Sequence, residues 1–193
     1  MSGMQSNLFG NDAPAPMHRL FFATSPTPED RDALHAAIER LRPWIPRARW
    51  VKATRHHVTL RYLGESAGRR DDWIAAATRA VQDWHPPQFE LTLDHLRALG
   101  NPRRPALALA SAAPSAGLDG FWRELRERML RAGFRDQDGR TFLPHLTVAY
   151  TEPSPPLPPI EPLLLRATSY RLLLSVQGED EYTCLGQWPL SGA

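Results

Sequence analysis

Among the 193 residues there is one cysteine, Cys184, and one lysine, Lys52. A single cysteine excludes an internal disulfide and fits a reducing compartment, so a cytoplasmic chain is expected. No Cys/His group has zinc-ligand spacing, and no Gly-rich loop that would cradle a phosphate is present. Neither a metal nor another cofactor is therefore expected. No apolar run approaches the roughly 20 residues that a bilayer-spanning helix needs. The first residues also lack the basic-then-apolar pattern of a secretory signal, so no membrane role is expected. Net charge is low as well, at +2. That suits a small anionic group better than an extended duplex. The other cations are 22 arginines. Arginine forks phosphate oxygens well, although a GC-rich genome gives the same bias and most surface charges are merely solvated.

What the chain does have is one short pattern, twice: His57-Val58-Thr59-Leu60 and His145-Leu146-Thr147-Val148. Each reads His-apolar-Thr-apolar within a strand-like run. Random placement yields about 0.07 such motifs in a chain of this composition, so two copies point to a paired design. In a strand, residues two apart share a face. Each copy thus sets an imidazole beside a hydroxyl, about 7 Å apart along the chain, with apolar neighbours facing a core. Brought together, the two copies supply a general acid, a general base and two hydroxyl donors. His56 points away from His57 on a strand, and His18, His35, His85 and His95 lack a comparable partner pattern.

The segments between the motifs alternate between strand and helix signals. His18–Thr24 reads as a strand, and Thr27-Pro28 opens a helix with its apolar stripe on Leu34, Ala37, Ile38 and Leu41. Further helices are expected over Asp71–Trp84 and around Leu118–Met129. Strands are expected at Arg49–Lys52, His56–Leu63, Phe89–Leu99, Pro105–Ala110 and Leu146–Tyr150. A proline-rich loop follows at Pro153–Pro162, then a hairpin, Tyr170–Gln177 with Tyr182–Trp188, turning at Gly178. This order suggests a duplicated, bilobal α+β architecture: two antiparallel sheets flanked by helices, with a cleft between the lobes. Residues 1–17 are polar and rich in Gly and Pro and are expected to be disordered, with one domain over 18–193.

The chain resembles the two-histidine phosphoesterase superfamily, and most of all its RNA 2′,3′-cyclic phosphodiesterases, also described as 2′-5′ RNA ligases. The residues that carry the resemblance are Arg19–Ala23, Trp50-Val51, His57–Gly64, Phe142–Val148 and the ending from Tyr182 through Trp188-Pro189-Leu190. They span nearly the whole expected domain. The resemblance implies a metal-independent, monomeric enzyme acting on RNA or oligonucleotide 2′,3′-cyclic phosphate ends. In it His57 would be the proton donor, His145 the acceptor, and Thr59 and Thr147 the phosphate-oxygen donors. Weak, reversible 2′-5′ ligation would accompany hydrolysis. Members often carry an arginine shortly after the second motif, where this chain has Ala149-Tyr150. Arg61, two residues after Thr59 and so expected on the same face, is the candidate replacement. Two alternatives stay open: a small cyclic phosphate such as one derived from ADP-ribose, and an RNA-end-binding module without turnover. Separately, Gln5, Leu8 and Phe9 form a QxxLF pattern like peptides that bind the bacterial sliding clamp.

Overall fold

The computed structural model describes residues 15–136, 142–152 and 156–192. The sliding-clamp pattern at Gln5, Leu8 and Phe9, most of the expected disordered segment and part of the proline-rich loop lie outside these residues. In chain order the described strands are β1 (Met17–Thr24), β2 (Arg49–Trp50), β3 (Val58–Ala67), β4 (Phe89–Leu93), β5 (His95–Leu99), β6 (Ala106–Ala110), β7 (His145–Tyr150), β8 (Leu163–Ala167), β9 (Ser169–Val176) and β10 (Thr183–Pro189). The helices are α1 (Pro28–Leu41), α2 (Asp71–Val81) and α3 (Ala116–Arg131). None of the described helices is long and apolar enough to cross a membrane.

Helix ends follow their local chemistry. Thr27 Oγ1 accepts the Asp30 amide at 3.2 Å, and the Asp30 carboxylate accepts the Thr27 amide at 3.4 Å. This capping box, with Pro28 in the first turn, starts α1, and Leu34, Ile38 and Leu41 bury one stripe of it. Ser115 caps α3 with its hydroxyl alone, which accepts the Leu118 amide at 3.2 Å, and Leu118, Phe121, Trp122, Leu125 and Met129 face the core. Just beyond α3 the chain turns at Gly133, whose φ of +90° suits a residue without a Cβ.

The fold is α+β. One eight-stranded sheet runs β10-β9-β1-β3-β7-β6-β5, with β2 on the edge of β7, and β4 pairs with β8 in a separate two-stranded sheet. Two antiparallel blocks make up the large sheet. Strands β10, β9, β1 and β3 pair over long ladders, as do β7, β6 and β5. The blocks join through a single residue pair, Val58↔Leu146. Strand β1 runs through the middle of its block, and Leu20–Thr24 are all buried. The apolar stripes of the helices and the inner sheet faces form one continuous core.

Two expectations about elements need correction. Phe89–Leu99 is not one strand. It breaks at Asp94, so that β4 joins β8 while β5 joins β6. Asp94 makes the crossing possible: its amide donates to Ala110 O at 2.9 Å, and its carboxylate takes the Ala112 amide at 3.1 Å and His95 Nδ1 at 2.5 Å. Local alternation says nothing about a strand changing partners. Strand β8 was not expected at all. Its Leu163-Leu164-Leu165 run has no period-two signal and is extended because it pairs with β4.

Candidate active site

The single pairing between the two blocks builds the site. Val58 and Leu146 sit opposite each other with their side chains buried, at 1% and 0% exposure. Because the strands are antiparallel, one step either way sets His57 across from Thr147 and Thr59 across from His145. All four then share the face turned away from the core, and all four are half-buried. The two imidazoles lie on a diagonal, for which a cross-strand Cβ separation is about 7–8 Å. That leaves room for one tetrahedral phosphate between them. Past this contact β3 leaves β7, and β2 takes its place through Trp50↔Ala149 and Arg49↔Tyr150.

Both imidazoles are oriented by the same bond. His57 Nδ1 lies 2.8 Å from Arg55 O, and His145 Nδ1 lies 2.8 Å from Leu143 O. A carbonyl only accepts, so each Nδ1 carries the proton. Each Nε2 is then left to do chemistry, as a bare lone pair when the ring is neutral and as a donor when it is charged.

His57 is packed between two aromatic rings, Phe21 at 5.3 Å and Tyr182 at 5.2 Å. Burial there pushes its pKa down to about 4, the proximity of His145 adds to the effect, and the bond to Arg55 O opposes it. In these surroundings His57 is therefore neutral at pH 7. The cleft in front of it has a volume of about 560 Å³. Its walls are basic and aromatic. Arg49 lies over Tyr150 at 4.9 Å and Arg55 over Tyr182 at 4.4 Å. Arg19 and Lys52 also line it, held by Glu65 at 3.1 Å and Asp180 at 2.6 Å. Among the described residues no three His, Cys, Asp or Glu side chains are grouped closely enough to hold a metal ion.

Arg61 is not in this cleft. Its side chain is fully buried and donates to Arg135 O at 3.2 Å and Asp136 Oδ1 at 3.1 Å. A β-bulge explains the displacement. On β1, Ala23 pairs with Thr59 but the next residue back, Phe22, pairs with Arg61, so Leu60 is an extra residue. One extra residue reverses the alternation, which sends Arg61 to the core face and brings Tyr62 into the cleft. The second motif repeats the device. On β6, Ala108 pairs with Thr147 and Leu107 with Ala149, so Val148 is extra. Ala149 is buried and Tyr150 enters the cleft. The repeated unit is thus His-x-Thr-x-x-Tyr, longer than the four-residue motif. The two tyrosines, each five residues after its histidine, were the legible signal that strict alternation hid. Arg49 and Arg55 had no sequence signal, and Tyr182 was legible only as part of the closing segment, because only tertiary folding brings these segments to the cleft.

The model of the 2′-5′ RNA ligase superfamily matches residues 28–178. This chain belongs to that superfamily. Relatives agree with the assignment. The RNA 2′,3′-cyclic phosphodiesterase of Geobacillus stearothermophilus is 29% identical over 129 residues, which is 67% of this chain and 40% of that protein. The chain therefore spans well under two thirds of that relative's length. A crystal structure of a phosphoesterase is 28% identical with a TM-score of 0.72, covering 90% of this chain and 98% of the other. E. coli LigT complexed with 3′-AMP is also 28% identical, with a TM-score of 0.71 and coverage of 91% and 99%. The chain of this superfamily member carries both His-x-Thr motifs, and Tyr150 follows the second, with Arg49 stacked on it from the adjacent strand.

Proposed function

We propose that the protein hydrolyses RNA 2′,3′-cyclic phosphate ends to 2′-phosphomonoesters by general acid–base catalysis. The observation that carries this reading is the facing quartet His57, Thr59, His145 and Thr147, with both Nδ1 atoms held by carbonyls. Superfamily membership, the Geobacillus relative's activity and the 3′-AMP bound by LigT support it.

In the proposed reaction His145 Nε2 takes a proton from water as the water oxygen bonds to phosphorus. The P–O3′ bond breaks, and His57 Nε2 delivers a proton to the departing 3′ oxygen. Thr59 and Thr147 hydroxyls donate to the non-bridging oxygens as negative charge grows there. Proton exchange with solvent then restores both rings. With a ribose 5′-hydroxyl in place of water, the same step yields a 2′-5′ linkage.

The donor role needs a protonated His57, whereas burial between Phe21 and Tyr182 holds it neutral. Substrate supplies the difference. One negative charge about 4 Å away, at an effective dielectric of about 20, is worth about 4 kcal/mol, or about three pKa units. That lifts His57 from about 4 to near neutrality once the phosphodiester anion is bound. Arg49 on Tyr150 and Arg55 on Tyr182 would flank the phosphate and stack on the bases of the neighbouring riboses.

The test compares a dinucleotide ending in a 2′,3′-cyclic phosphate, a cyclic mononucleotide and ADP-ribose cyclic phosphate, with the 2′-phosphate product identified by ³¹P NMR. Preferential turnover of the RNA end is expected. Tight binding of that end without turnover, or turnover of the ADP-ribose compound alone, would reject the reading.

A further inference from the structure

The segment joining β2 to β3 serves two cavities. It begins as a 3₁₀ turn over Ala53–Arg55 and runs on through His56 to His57. Arg55 and His57 line the catalytic cleft. Their neighbours Thr54 and His56 line a separate cavity of about 290 Å³. Its other polar walls are Ser25 after β1, Arg31 and His35 on α1, and Arg171 on β9.

The ionic charge in the lining of this second cavity comes from arginine alone. The lining includes two arginines and two histidines, and neither Asp nor Glu. Carboxylates come only as far as its rim: Glu181 accepts the Thr54 hydroxyl at 3.0 Å, and Glu39 lies 3.9 Å from His35 Nδ1. No carboxylate pairs with Arg31 or Arg171 among the described residues. His56 is buried at the cavity wall, at 8% exposure, and that burial lowers its pKa. The volume lies near the lower end of ligand sites, which run from about 300 Å³, so it suits a phosphate group with little else attached.

We propose that this cavity is a second anion site, which takes a phosphate group between Arg31 and Arg171 with His56 at its wall. The phosphate has two possible sources with the same chemistry: a free phosphate compound, or a backbone phosphate of the RNA whose cyclic end occupies the cleft. Only the second source rests on the proposed phosphodiesterase reading.

Inorganic phosphate titrated into the protein, followed by the imidazole NMR signals of His56 and His57, tests the site directly. Saturable shifts of His56 are expected. Arg171→Gln or Arg31→Gln should weaken the His56 response about tenfold or more, as loss of a charge-assisted hydrogen bond implies, and leave the His57 response intact. Arg31 is exposed, so its variant keeps the test valid if Arg171→Gln fails to fold. An unresponsive His56, or unchanged affinity in the folded variants, would overturn the proposal. This readout needs no turnover and stands whether or not the protein hydrolyses RNA. Cyclic-phosphate oligonucleotides of increasing length then identify the source. A rise in KM confined to the longer ones in Arg171→Gln assigns the site to RNA. Unchanged KM at every length, with phosphate binding lost, assigns it to a free phosphate compound.

Discussion

Replacing His57 with glutamine should make the fold less sensitive to acid. In the folded protein His57 takes up a proton only near pH 4, against an ordinary value of 6.5. Between those values the unfolded chain binds a proton that the folded chain refuses. Stability linked to His57 is therefore full above about pH 6.5 and is lost as pH falls toward 4. With these two values the wild type loses about 2 kcal/mol between pH 7 and 5, and about 3 kcal/mol by pH 4, from this one residue. His57→Gln carries no titrating group there and should escape that part of the loss. Acidic residues titrate alike in both proteins, so they cancel in the comparison. Urea unfolding of the two proteins at pH 7, 6 and 5 provides the measurement. Parallel loss of stability across that range would show that packing between Phe21 and Tyr182 does not suppress the charge. An imidazole NMR midpoint for His57 at or above 6 would refute the same reasoning. Added phosphate should raise that midpoint by up to about three units.

Other expectations follow from the same geometry. His57→Ala and His145→Ala should each lower kcat by about 10²–10⁴-fold, and the double variant should lose much less than the product, as measured on a cyclic-phosphate dinucleotide. Turnover should survive EDTA; loss on chelation that one divalent ion restores would refute the two-histidine scheme. Arg61→Ala should cost about 2–3 kcal/mol of stability by chemical denaturation, because it empties a fully buried position, while KM of the folded variant stays near wild type. Arg49→Ala should behave in the opposite way, raising KM at nearly unchanged stability, since it removes an exposed residue that lines the cleft.

The sequence by itself determined the local features. Thr27-Pro28 announces a helix start because capping is chemistry within four residues. The His-x-Thr motifs announce their shared face because strand period is a local property. The apolar spacing in α3 marks its core side for the same reason. Tertiary structure decided everything that depends on which strand meets which. The pairing of Val58 with Leu146 aligns the two motifs, and no residue in either strand specifies that partner. Asp94 divides one alternating run between two sheets because β6 and β8 compete for it from distant parts of the chain. The extra residues Leu60 and Val148 are defined only against β1 and β6, so the sequence read alone sent Arg61 to the wrong face and missed Tyr62 and Tyr150. The depressed pKa of His57 likewise comes from Phe21 and Tyr182, which lie far from it in sequence and remove water from its ring only after the fold closes.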